Sequence, residues 1–330
     1  ETAGGGFHGE VASTHRPDDL LAEVSRIVDP SASIETIHWG RNYIYAAIMQ
    51  TRSGRVPVVV KQFKNQGLKN RLDRRFRGSK AERSWRVAKE LVGVGLATPA
   101  PILWVESDET EGPSFFVAER LSGAVEVRQF FRRLNDDPDA DEFPEVDDED
   151  FLRRLGRLAR DINDAGILYR DLSMGNVLAM QRDDALDLYL IDFNRARIGR
   201  ESGVVRRSRD ICRLPVLQRE HRAAFLEGYW RYVPSRLSFR WWFYALSVEG
   251  YILKHAIKKR LKFLRLKRRH AHGGSHHPHI PAASATATSR DKAVWDHQSD
   301  QPHHHASRGE KLVIRHDDSP AHIRDHGIVA

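Results

Sequence analysis

Cysteine is almost absent from this 330-residue sequence: Cys212 stands alone. An internal disulfide is therefore excluded, as is a cysteine-built metal centre, and the usage fits a reducing compartment. Long apolar runs are missing too. No stretch of 18 apolar residues occurs, so no segment is expected to cross a bilayer as a helix. The N-terminus lacks the basic-then-apolar pattern of a secretory signal, and it lacks an initiator methionine, as a trimmed fragment would. Acid is in deficit: 45 Asp and Glu face 53 Lys and Arg, a formal net charge of +8. That balance favours nucleotides, phosphorylated glycans, nucleic acid or an anionic membrane face, without choosing among them. What is present is an apolar content of 40%, ample for a core, over a length that suits one large two-lobed domain or a domain with appendages.

Two short motifs organise the chain. Tyr169-Arg170-Asp171-Leu172-Ser173-Met174-Gly175-Asn176 places an Asn five positions after an Asp, and Ile191-Asp192-Phe193-Asn194 closes the strand-like run Leu186–Ile191. An Asp that takes a hydroxyl proton, with an Asn and a second Asp that hold Mg²⁺, is what phosphoryl transfer from ATP needs in a kinase-type site. Asp171 is the candidate base. Asn176 and Asp192 are the candidate Mg²⁺ ligands, oxygen donors suited to a hard cation. Arg170 reads as a structural ion-pair partner, and Arg195 and Arg197 as contacts for anionic substrate groups or as plain surface charge.

The flanking pattern is that of an α+β, two-lobed, protein-kinase-like fold, with a small antiparallel lobe before a larger helical one. A short amphipathic helix is expected at Asp18–Val28, capped by Asp18 or Asp19, within an N-terminal extension (1–30) to which no chemistry is assigned. The small lobe (31–119) opens with strands at Ile34–Trp39, Tyr43–Gln50 and Val56–Phe63. The first turn holds only Gly40, so a full G-x-G-x-x-G is absent. Lys61 follows Val58-Val59-Val60 as the Lys of V-A-I-K does, and reads as a cation for the α- and β-phosphates or as a surface lysine on an edge strand. Lys64–Arg77, with six basic residues and one acid, reads as a solvated loop.

The helix from Ser79 carries Glu82, the candidate partner of Lys61. Ser79-x-x-Glu82 is equally a capping box, with Glu90 in reserve. Strands Ile102–Glu106 and Ser114–Glu119 lead to Glu119-Arg120-Leu121, a hinge whose backbone would hold adenine. In the large lobe (120–269), Val125–Leu134 reads as helix. Residues 136–150 hold ten acids in fifteen positions and read as a solvated insertion. A core helix at Phe151–Ala165 then delivers the Asp171 loop.

These stretches resemble the bacterial lipopolysaccharide kinase family, protein-kinase-like enzymes that phosphorylate Kdo or heptose of the lipopolysaccharide inner core. The likeness lies in VVVKQFK (58–64), SKAERSWRVAKELVGVGLATPAP (79–101), YRDLSMGNVL (169–178) and IDFNRAR (191–197), and spans about residues 34–215. It implies ATP–Mg²⁺ phosphotransfer to a sugar hydroxyl at the cytoplasmic face of the inner membrane, with Lys61, Asp171, Asn176 and Asp192 at the family's functional positions. Three departures stand out: Tyr169 replaces the usual His, Asn194 replaces the Gly of D-F-G, and the Glu expected near Ser84 is displaced or missing.

Beyond Arg197 there is no A-P-E motif and no long regulatory segment, which favours a small-molecule or glycan acceptor over a protein. Gln218–Trp230 and Ser238–Lys254 read as large-lobe helices. Lys254–Arg269 holds nine basic residues and no acid among apolar ones, the pattern of a basic amphipathic helix on an anionic membrane or of a solvated terminal helix. No nucleic-acid module is found. From His270 the composition turns to His, Pro, Ala, Ser and Thr, read as a disordered tail or linker (270–330), with Lys311–Arg315 as the start of a further element. Two rivals remain at this stage: a pseudokinase that binds nucleotide without turnover, and a kinase acting on protein or another small molecule.

Overall fold

The computed structural model describes residues 6–272 and 309–314, apart from 41, 65–66, 110, 139, 184, 200–202, 215 and 217–218. The first strand, Phe7–Ala12 (β1), precedes a helix, Leu20–Val28 (α1), which starts where the Asp19 carboxylate accepts the Ala22 N–H at 3.0 Å. Glu35–Trp39 (β2), Asn42–Thr51 (β3) and Gly54–Phe63 (β4) form an antiparallel meander. The β3–β4 turn requires Gly54, whose φ of +122° lies in a region that residues with a Cβ rarely adopt.

Leu68–Arg77 is helical (α2), which corrects the loop expected there. Arg, Lys and Leu are good helix formers, and Gly67 and Gly78, both at positive φ, bracket the run. A charge run thus concealed a helix. Lys80–Gly93 (α3) follows, then Pro101–Ser107 (β5) and Ser114–Glu119 (β6).

The helical part comprises Val125–Glu126 (β7), Val127–Leu134 (α4) and Asp148–Asp164 (α5). Ile167–Leu168 (β8), Val177–Arg182 (β9), Ala185–Leu190 (β10) and Arg197–Ile198 (β11) frame the two motifs. Val204–Ile211 (α6), Arg219–Trp230 (α7) and Phe239–His272 (α8) complete it, and Gly309–Ile314 (β12) lies far along the chain. A first compact unit takes in residues 1–248 with 306–330, and a second 249–305, described as helix to His272. Most of the 270–330 tail read as disordered lies outside the described residues.

Seven antiparallel strands form the main sheet in the order β12-β1-β5-β6-β4-β3-β2. The segment read as an N-terminal extension is therefore part of the sheet. Val11 of β1 and Leu20, Val24 and Ile27 of α1 are buried with Tyr45, Met49, Val58, Val60, Val105 and Val117 in one cluster. Burying a Val or Ile side chain contributes about 1.5–3 kcal/mol. The acidic stretch is also less free than expected: Phe143 packs among Phe130 and Phe151, and Asp147 caps α5 by accepting the Asp150 N–H. Against α5 lies α7, so close that a Cβ on Gly156 would collide with the Phe225 carbonyl and one on Gly228 with that of Arg153.

Candidate active site

Helix α5 ends at Asp164, and Gly166 turns the chain into β8 and the loop 169–176. Arg170 and Asp192 sit at φ +63° and +66°, left-handed conformations that non-glycine residues adopt at a cost. The surrounding bonds hold them there. Asp210 at the end of α6 is buried, and its carboxylate accepts the N–H groups of Tyr169 (2.8 Å) and Arg170 and the Asn163 amide (3.1 Å). The Asn163 oxygen in turn accepts the Tyr229 hydroxyl at 2.6 Å. Burial raises the Asp210 carboxyl above its ordinary range, with the N–H donors pulling the other way.

Tyr169 joins the two motifs. Its ring is buried, and its hydroxyl donates to the carbonyl of Ile191, the residue before Asp192. Burial first, and then Asp192, Asp171 and Asp210, raise the phenol well above its usual value. It therefore stays a neutral donor. The Ile191 N–H donates to Asn176 O at 3.0 Å, and Thr98 Oγ1 to Leu190 O at 2.9 Å, so strand β10 is tied to the loop and to the end of the β5 approach.

Within this frame the Asn176 amide donates to the Asp171 carbonyl at 2.7 Å. One Asp171 oxygen takes Arg213 and the other Arg195, at 3.1 Å. Lys61 Nζ reaches Asp192 Oδ1 at 2.7 Å, and the Asn194 amide donates to the same oxygen. A lysine from β4 and the Asp of the second motif, 131 positions apart, thus meet beside Asp171 and Asn176.

A profile of the lipopolysaccharide kinase (Kdo/WaaP) family matches residues 42–227, more than half of the chain. The chain belongs to that family. It is a kinase, an ATP-using phosphotransferase acting on the lipopolysaccharide core. No curated protein sequence matches it. Among solved structures, WaaP in complex with acyl carrier protein is similar at a TM-score of 0.51 and 19% identity, covering 71% of this chain and 96% of that one. That likeness is one of fold, and the fold is protein-kinase-like, as the strand and motif order implies.

Against the lipopolysaccharide kinase pattern, the partner of Lys61 needs correction. Glu82 is the third residue of α3: its N–H donates to Ser79 Oγ at 3.0 Å, its carboxylate lies over Gly78, and it stands 3.7 Å from Arg86. Ser79 therefore caps α3, the Glu82 carboxylate faces Arg86, and Lys61 pairs with Asp192. Glu90 is exposed near the far end of α3. At the hinge, the N–H groups of Glu119 and Arg120 donate to Ala100 O and Pro57 O at 2.9 Å each, so neither is open to an adenine edge. The Glu119 side chain is exposed.

Asp210 and Arg213 went unassigned in the sequence. Their one signal is an acid and a base flanking Ile211-Cys212, too short a stretch to reveal contacts some 40 positions back. The donor set also fits Mg²⁺ with nucleotide. Among the described residues no group of three or more His, Cys, Asp or Glu could hold a metal alone. Asn176 and Asp192 supply two oxygen ligands, and Mg²⁺ commonly completes its shell from phosphates and water.

Proposed function

We propose that the chain transfers the γ-phosphate of ATP to a sugar hydroxyl, on Kdo or heptose, of the lipopolysaccharide inner core. Two pairs, Lys61 on Asp192 and Asn176 on the Asp171 carbonyl, joined by the Ile191 N–H on Asn176 O, support this most directly. Bound Mg²⁺, held by Asn176 and Asp192, would neutralise charge on the β- and γ-phosphates. Lys61 supplies the cation for the α- and β-phosphates. Asp171 orients the acceptor hydroxyl and takes its proton. Each carboxylate oxygen has two lone pairs, so Asp171 can accept that hydroxyl while Arg213 keeps the carboxylate oriented. Arg195, more exposed than Arg213, is placed to meet an anionic substituent of the acceptor.

Acceptor access is argued from charge. Lys254–Arg269 would rest on the anionic cytoplasmic face of the inner membrane, where a lipid-linked acidic acceptor is found. No described helix is long and apolar enough to cross a membrane.

The decisive experiment is transfer of γ-labelled phosphate from ATP to intact or deacylated lipopolysaccharide core, by wild type and Asp171→Ala. General-base assistance contributes about 10²–10⁴-fold, so label should fall by two decades or more in the variant. No transfer by wild type that still binds Mg²⁺–ATP would reject this acceptor.

A further inference from the structure

Outside the nucleotide residues lies a second cationic site. A cavity of about 270 Å³ is lined by Arg77 of α2, Arg83, Arg86 and Val87 of α3, and Ala196, Arg197 and Ile198 at β11. Neither Lys61, Asp171, Asn176 nor Asp192 lines it. Two carboxylates serve these arginines. Asp73 takes Arg83 at 2.9 Å and Arg77 at 3.1 Å, and Glu82 stands 3.7 Å from Arg86. Arg170 adds its charge from the catalytic loop, close enough to feel Arg197 and Arg77. Neither Arg170 nor Arg197 forms a salt bridge among the described residues.

Four guanidiniums therefore line the cavity against the carboxylates of Asp73 and Glu82, with Arg170, which Asp210 also attracts, close by. Arg83 is 7% exposed, and its Nε is buried without a hydrogen-bond partner. Burial, with the neighbouring arginines adding to it and Asp73 opposing it at Arg83, lowers the affinity of Arg83 and Arg170 for their protons.

We propose that this arginine cavity binds a phosphate dianion, free or as the phosphate of a sugar monoester, and thereby ties α2 and α3 to β11. Guanidinium forks match phosphate oxygens two at a time, and a phosphate monoester carries about −1.5 to −2 charges at neutral pH, which suits the excess. The tie has a purpose here. Strand β11 pairs with β8 through Arg197 and Leu168, directly before the catalytic loop, and follows Asp192–Arg195. Helix α3 has no glutamate on Lys61 to couple it to that segment, and the anion supplies the coupling. This consequence rests on the kinase reading; the binding does not.

The test is thermal unfolding of the full chain, without ATP or lipopolysaccharide, in inorganic phosphate against chloride at matched ionic strength. Phosphate should raise Tm by about 3–5 °C at roughly ten times its dissociation constant. Arg83→Gln risks misfolding because Arg83 holds Asp73 and Gly78 O, so the informative variant is Arg86→Gln with Arg197→Gln, both exposed. Relief of like-charge repulsion should leave that variant as stable as wild type in chloride, yet without the phosphate shift. Asp192→Asn, outside the cavity, should keep the shift. Glucose 1-phosphate separates the sources: half-saturation tenfold or more below that of inorganic phosphate assigns a sugar monoester, and equal values assign free phosphate. An equal Tm rise in chloride, or a shift that survives in the double variant, overturns the site whether or not the chain phosphorylates lipopolysaccharide.

Discussion

Asp210 holds the 169–176 loop at its most demanding point, where Arg170 is left-handed. Asp210→Ala would strand the Tyr169 and Arg170 N–H groups and the Asn163 amide, each worth about 1–3 kcal/mol when buried and unmet. Partial relaxation should bring the total to about 3 kcal/mol, read from urea unfolding. A loss below about 1 kcal/mol would mean that water or neighbours replace the carboxylate. The pH dependence has a definite sign. Burial raises the folded Asp210 value above its ordinary 3.8, so the folded chain keeps that proton to higher pH than the unfolded chain. Its stabilising contribution is complete below the unfolded value and is lost as pH rises through the folded one. Asp210→Asn should remove that decline, visible as a flatter urea midpoint as pH rises above the ordinary aspartate range. Lys61, Asp171, Asn176 and Asp192 stand out in the sequence by type and order, and the structure sets Lys61 against Asp192 and the Asn176 amide on the Asp171 carbonyl. Asp210 does not stand out, since a carboxylate that binds backbone N–H groups leaves no spacing rule.

Two glycines test the packing of the elements. Gly156 lies where α5 touches α7, and an Ala Cβ there would press on the Phe225 carbonyl, backbone that cannot swing aside. Overpacking of this kind costs about 1–3 kcal/mol. At Gly93, the last residue of α3, a Cβ meets nothing, and Ala over Gly is favoured there by at most about 0.5 kcal/mol. The urea midpoint should therefore fall for Gly156→Ala and rise for Gly93→Ala. Shifts of the same sign in both would remove the close helix contact as the explanation. Helices α1, α3 and α5 were readable from period and caps because each buries one face at a regular spacing, and strands β2 to β6 from their β-branched, aromatic or apolar runs, although β2 is exposed and β5 is buried throughout. Helix α2 was not. Its basic residues carry helix propensity as well as charge, and an acidic partner for Arg74 lies across the fold at Glu106.

For the whole molecule, the net charge of +8 and the nine basic residues of 254–269 lead to a salt-dependent membrane prediction. Each basic residue near an anionic surface contributes about 1 kcal/mol. Replacing Lys254, Lys258 and Arg260 by Gln should weaken co-sedimentation with phosphatidylglycerol vesicles by on the order of tenfold or more at low salt. Binding unchanged by those substitutions, or indifferent to salt, would detach this helix from the membrane. By itself the sequence determined the reaction class, the nucleotide and metal ligands to test, and the succession of strands before helices, since these follow from residue type, order and local period. Tertiary structure alone decided that residues 7–12 join the sheet and 20–28 pack on it, that Ser79 caps α3 while Lys61 meets Asp192, and that arginines from α2, α3 and β11 share one cavity. Those are contacts between distant parts of the chain, set by how the elements pack.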